Sequence, residues 1–177
     1  MANTRFQDMS FKVKAELNDI SIAWLDEVAG EIAAQAARNC KMAQEGDRIG
    51  EWLKKSYTYQ LNEEEGEAKI GSSREAAFWE EFGTGEYADT SKNGGRQGRD
   101  GWWVYVKNGN VHRVGGGTTY QTQEEAEAVA ESMRADGLDA YATCGREPNY
   151  TLEKAFRRVQ IGAEENLKER LKARFDE

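Results

Sequence analysis

The chain has 177 residues, a net charge of −8 and one histidine, a length that holds one ordinary domain or one small domain carrying an insert. The acidic balance argues against a protein that grips DNA by its phosphates, since such binding needs a basic face to release counterions. No stretch approaches about 18 consecutive apolar residues, so no membrane-spanning helix is expected, and the first 19 residues lack the apolar core of a signal peptide.

In chain order, Phe6, Met9, Phe11, Val13 and Leu17 alternate loosely and predict a short strand over residues 11–17. From Ile20 to about Gln44 the apolar residues recur at helical spacing. Trp24, Val28, Ile32, Ala36 and Cys40 form one stripe, with Leu25, Ala29 and Ala43 beside it and charged residues mostly off it. That predicts one amphipathic helix of six or seven turns, stopped by Gly46. Ile49, Trp52 and Leu53 follow. A strand is then predicted over residues 55–61, a turn at the acidic cluster Asn62 to Glu67, and a second strand over 67–71 that closes a hairpin. Ala76 to Phe82 is apolar and aromatic, with Phe78, Trp79 and Phe82 expected to enter the core. Gly83, Thr84 and Gly85 then break the chain sharply. Residues 86–101, with Gly94, Gly95, Gly98 and Gly101 among charges, predict a flexible loop. No Lys-Ser or Lys-Thr pair opens a helix behind it, so it is not a nucleotide cradle.

Residues 102–145 predict an inserted ββαβ module. Trp102 to Lys107 reads as a strand, Asn108-Gly109-Asn110 as a turn, and Val111 to Val114 as the returning strand. Thr122 and Glu125 form a capping box for a helix whose inner stripe is Ala126, Val129, Ala130 and Met133. Gly137 ends it, and residues 138–143 form the last strand. After Pro148, Thr151 is placed to cap a final helix with the stripe Leu152, Phe156, Val159, Ala163, Leu167 and Leu171. The expected fold is therefore α+β: a small antiparallel sheet packed with long N- and C-terminal helices, residues 1–101 and 146–177 forming the core domain around the insert.

Chemistry is sparse. His112 stands between Val111 and Arg113 in a predicted hairpin with no nucleophile or base paired to it. Cys40 and Cys144 lie far apart, without metal spacing, and read as reduced thiols. Glu80 and Glu81 are adjacent, and neighbours on a helix or strand diverge rather than converge as an acid–base pair. No catalytic, metal or cofactor residues are expected. Trp102, Trp103 and Tyr105 are candidates for a contact surface on the insert.

The segment Ala77-Phe78-Trp79-Glu80-Glu81-Phe82-Gly83-Thr84-Gly85 resembles the signature of the neck and tail-completion family of long-tailed phages, in which an aromatic run leads into Glu-Phe-Gly-Thr-Gly. The order around it is similar too. A long N-terminal helix is followed by Asp47-Arg48-Ile49-Gly50-Glu51-Trp52-Leu53-Lys54-Lys55-Ser56, a strand, Ala68-Lys69-Ile70-Gly71 and then the signature. Pro148 and Leu152-Glu153-Lys154-Ala155-Phe156 open the last helix. Many relatives carry a proline before the first strand that Gly46 to Gly50 lacks, and the connection filled by residues 102–145 is long. The resemblance implies a non-enzymatic component of the head–tail junction, made in the host cytoplasm and built into the virion. Its partners would be other neck, connector or tail proteins or copies of itself in a ring, with no membrane and no sequence-specific nucleic acid. It makes Phe78, Trp79, Glu81, Phe82, Gly83, Thr84 and Gly85 a motif that either shapes a turn or also presents it to a neighbour. Within the insert, Thr122-Gln-Glu-Glu-Ala-Glu-Ala with Gly137-Leu138-Asp139-Ala140-Tyr141 resembles part of the sporulation-related repeat modules that bind peptidoglycan. A glycan- or peptidoglycan-binding role is the alternative expectation, and a small carboxylate hydrolase a more distant one.

Overall fold

Helix α1 (Asn18–Asn39) buries the stripe read from the sequence: Trp24, Leu25, Val28, Ala29, Ile32 and Ala36 are all in the core. Each large aliphatic side chain so buried stabilises the fold by about 1.5–3 kcal/mol relative to exposure. A computed structural model describes residues 18–44, 48–92, 100–106 and 118–175. The strand expected at 11–17, the stop at Gly46, the glycines at 94, 95 and 98, the turn at 108–110 and the strand at 111–114 with His112 lie outside the described residues.

The chain divides into two units, Met1–Glu81 with Asn149–Glu177, and Phe82–Pro148. In the first, α1 runs antiparallel to α6 (Thr151–Phe175). Trp24 Nε1 donates to the Ala163 carbonyl at 2.9 Å, and Asn39 Nδ2 donates to the Thr151 carbonyl at 3.3 Å, fixing the register at both ends. Leu152, Ala155, Val159 and Ala163 of α6 are buried in the seam, with Phe156 and Leu167 at its margin. The hairpin β1 (Tyr57–Asn62) and β2 (Glu67–Ser72) pairs Tyr57 with Ser72, Tyr59 with Ile70 and Leu61 with Ala68, and α1 packs on it.

The N-terminal helix differs from the single rod its periodicity suggests. It breaks at Cys40, and α2 (Lys41–Gln44) starts afresh. The cause is local: the Asn39 carbonyl accepts from Asn149 Nδ2 at 2.9 Å, while the N–H groups of Lys41 and Met42 donate to Glu80. Side chains have taken the backbone groups that would have continued the helix. Beyond it lies α3 (Arg48–Lys54), with Leu53 buried and Trp52 exposed. A Cβ on Gly50 would stand 2.2 Å from a backbone carbon of Met42, so α2 and α3 cross at backbone contact. The N–H groups of Lys55 and Ser56 still donate to carbonyls of α3, which is why β1 begins at Tyr57 rather than Lys55.

In the second unit, β3 (Thr84–Gly85) pairs with β6 (Gly145–Arg146), and β4 (Trp103–Val106) pairs with β5 (Ala140–Thr143), all antiparallel. Helix α5 (Gln123–Ala135) lays Ala126 and Ala130 on Val104 and Ala140, with Val129 and Met133 beside them. Thr122 caps it as expected, Glu125 N donating to Thr122 Oγ1 at 3.2 Å, while the Glu125 carboxylate accepts from the N–H of Gln121, one residue before the cap, at 3.0 Å. The fold is α+β, its described strands falling into three two-stranded antiparallel sheets. Among the described residues no helix is long and apolar enough to cross a membrane.

The chain leaves the first unit at Glu81 and returns at Asn149, whose N–H donates to the Glu80 carbonyl at 2.9 Å. Every residue of the larger apolar cluster belongs to the first unit. Replacing Phe82–Pro148 by a short Gly-Ser linker is therefore expected to leave a folded helical protein. Circular dichroism with cooperative thermal unfolding checks this; a molten, non-cooperative product would contradict it.

Candidate functional site

Helix α4 (Glu75–Phe82) carries the signature segment. Its inward face is not the aromatic one the composition suggested. Ala76, Ala77, Glu80 and Glu81 are buried, whereas Phe78, Trp79 and Phe82 are half-buried, Trp79 at the margin of the first unit's core. Positions 76, 77, 80 and 81 share one face of a helix, and the small alanines leave room there for two carboxylates.

Those carboxylates are deeply sequestered, Glu80 at 0% and Glu81 at 5% exposure. A buried carboxylate is tolerated only if its oxygens are met by donors. Glu80 Oε1 accepts from the N–H of Lys41 and of Met42, the latter at 3.4 Å, and from Asn149 Nδ2 at 3.0 Å. The Thr151 hydroxyl stands 3.4 Å from the same oxygen. Glu81 divides its oxygens: Oε2 accepts from the N–H of Leu152 at 2.7 Å and Oε1 from the N–H of Glu153 at 3.1 Å. Glu80 thus closes the start of α2 and Glu81 the start of α6, each placing negative charge where a helix presents unpaired N–H groups.

The expectation that Thr151 caps α6 is corrected by this geometry. Its hydroxyl turns to Glu80 and to Asn149, and Glu81, seventy residues earlier, supplies the cap. Burial raises the pKa of Glu81 above the ordinary 4.5; its two backbone hydrogen bonds oppose the rise, and the charges of Glu153 and Glu80 add to it. Tyr57 is buried in the same cluster, and its hydroxyl pKa is raised, first by burial and then by Cys40, Glu80 and Glu81. Its Oη is near Thr151 but makes no hydrogen bond of good geometry among the described residues.

The glycines after α4 lead into a turn, the N–H groups of Tyr87 and Ala88 donating to the Thr84 and Gly85 carbonyls at 3.3 and 3.2 Å, and they also bring two backbones together. Gly83 and Gly85 sit at φ +73° and +61°, and Thr84 and Gly85 between them form β3 against β6. A Cβ on Gly85 would lie 1.9 Å from the Cys144 carbonyl oxygen, and one on Gly83 would lie 2.5 Å from that of Arg146. The Gly-Thr-Gly step is thus a close backbone approach held in left-handed geometry, which other residues enter only under strain.

Of the expected contact aromatics, Trp102 belongs elsewhere. It bridges Tyr120 and packs into the core of the second unit on the α5 side. Alternation along β4 puts Trp103 and Tyr105 on the opposite face. Tyr105 is exposed and lies against the equally exposed Tyr141 of β5, ring centroids 5.6 Å apart. Tyr141 was legible only through the strand register, which sets it opposite Tyr105. Glu80, Asn149 and Thr151 were missed as members of a cluster. Two consecutive glutamates in an apolar helical run were the one signal that could have flagged the first.

Chemically, the carboxylate pair binds backbone. Both oxygens of Glu81 are committed to N–H donors, and the two side chains serve different helices. Among the described residues no group of three or more His, Cys, Asp or Glu side chains is placed to hold a metal ion.

Glu81→Ala is expected to destabilise the fold by about 2 kcal/mol, from a lost cap and two stranded N–H groups, and Glu81→Gln by less. Because the native pKa of Glu81 lies above the unfolded one, the native state binds more protons between the two values. The Glu81 contribution to stability therefore falls as pH rises through that interval. Urea titrations from pH 4.5 to 7 check this: the stability difference between wild type and Glu81→Gln should drift downward with pH.

Comparison of the chain with protein-family models, with curated proteins and with solved structures gives no match.

Proposed function

We propose that this chain is a structural component of a long-tailed phage, acting at the head–tail junction by docking to other neck, connector or tail proteins and carrying out no catalysis. The observation that carries the reading is the state of the signature segment. Its acidic pair is consumed in holding two helix starts, and its glycines in a close backbone ladder. A motif spent wholly on architecture suits a protein whose product is a surface. The second unit offers one: Tyr105 and Tyr141 form an exposed aromatic pair on the face of β4–β5 away from α5. Tyrosine supplies large, rigid contact area at low entropic cost and is enriched at interfaces. Heterologous contacts of one face on another would close copies into a ring.

The same aromatic pair favours a second reading, in which the second unit binds glycan or peptidoglycan. Sugar rings also stack on exposed tyrosines, and nothing in the first unit would need to take part.

Deleting the gene from its phage is expected to give filled heads and separate tails by electron microscopy, with infectivity lost. Joined, infectious particles without the protein would overturn the proposal. Full-length Tyr105→Ala/Tyr141→Ala supplied in trans separates the readings. If the pair docks protein, the variant folds but fails to restore joining. If the pair binds cell wall, the variant restores joining, and only the wild type sediments with peptidoglycan.

A further inference from the structure

Tyr150 is the one non-glycine residue among those described with a positive φ, at +50°. Left-handed backbone is disfavoured for an aromatic residue because Cβ crowds the following carbonyl. Such a residue persists only where its surroundings over-determine it. Here the surroundings are identifiable: Glu80 and Glu81 of α4, with Asn39 at the end of α1 exchanging two further hydrogen bonds with Asn149 and Thr151. The N–H of Asn149 and of Tyr150 donate to the carbonyls of Glu80 and Glu81, at 2.9 and 3.2 Å. The N–H of Leu152 and of Glu153 donate to the Glu81 carboxylate, and Asn149 and Thr151 side chains donate to the Glu80 carboxylate. The Tyr150 carbonyl accepts from Lys154 N at 2.9 Å, tying the strained residue to the helix it precedes. Five consecutive residues, 149–153, are thus held against one dipeptide of α4 with a strained link in their middle.

We infer that residues 149–153 form a latch that opens by itself, ahead of the rest of the first unit, and that the left-handed Tyr150 sets how readily it opens. Opening gives up the Asn39 contacts at the near end of the α1–α6 seam and the burial of Leu152, and leaves the rest of the seam in place. Val159 and Ala163, with Trp24 of α1 bonded to the latter's carbonyl, lie more than one turn further along and keep their contacts when the first turn is released. Opening frees the start of α6 and the point at which the chain returns from Phe82–Pro148. It exposes the Glu81 carboxylate and the N–H groups of Leu152 and Glu153 together, so closure is cooperative: no member of the set is satisfied without the other.

Native-state hydrogen exchange of the full chain tests this at the amides of Leu152 and Glu153, with Val159 as the seam reference. These two amides are expected to exchange through an opening insensitive to low denaturant, faster than Val159. Substitution at 150 then isolates the backbone from the ring, because alanine removes the ring without relieving left-handed strain and glycine relieves it. Tyr150→Gly should close the latch roughly five-fold or more relative to Tyr150→Ala, with Val159 equal in the two. If glycine and alanine give the same exchange, strain does not govern the segment. If Leu152 and Glu153 exchange only with Val159 by global unfolding, there is no separate latch. Either result overturns the inference, and neither bears on docking at the second unit.

Discussion

Two adjacent carboxylates, each closing the start of a different helix, are the constraint on which the first unit rests. Glu80 and Glu81 project from one face of α4 into an interior that accommodates them through donors to Glu80 Oε1 and to both oxygens of Glu81. The donors that meet them are chiefly backbone N–H groups at the starts of α2 and α6, with Asn149 and Thr151 in between. Helix packing by apolar stripes is permissive; many registers of α1 on α6 would bury comparable area. A carboxylate that must find particular N–H groups is not permissive. The pair converts a loosely specified helix packing into one arrangement, at the expense of a fold that tolerates little change at these two positions.

The same constraint decides where the sequence is readable and where it is not. Apolar periodicity is a property of single segments, so the stripes of α1, α5 and α6 and the hairpin of β1 and β2 could be seen one segment at a time. Thr122 with Glu125 is likewise a signal three residues wide. The break at Cys40 could not be seen, because its cause lies forty residues away in Glu80 and more than a hundred away in Asn149. The cap of α6 was assigned to the nearest hydroxyl for the same reason: local rules name Thr151, and the true partner is Glu81. The face of α4 was misjudged because hydrophobicity ranks phenylalanine and tryptophan above glutamate for burial. Here the decisive quantity was the supply of donors on the facing elements.

The signature segment takes on a more definite meaning in this light. Its glutamates and its glycines serve different units, the former organising Met1–Glu81 with Asn149–Glu177 and the latter organising Phe82–Pro148. A nine-residue stretch with obligations on both sides of a boundary admits few substitutions, whatever surface the protein presents elsewhere. By contrast, Tyr105 and Tyr141 have little structural duty on their exposed face, since Val104 and Ala140 supply the burial on the other.

The neighbouring exit and return points of the inserted unit carry a mechanical consequence. Tension applied anywhere on Phe82–Pro148 enters the first unit at the end of α4 and the start of α6, where the Asn149 N–H is held by the Glu80 carbonyl. The load meets the short polar contacts of Glu80, Glu81, Asn39 and Asn149 before it reaches the apolar seam around Val159 and Ala163. A chain so built would yield first at that clasp, with the far part of its helical pair as the anchor.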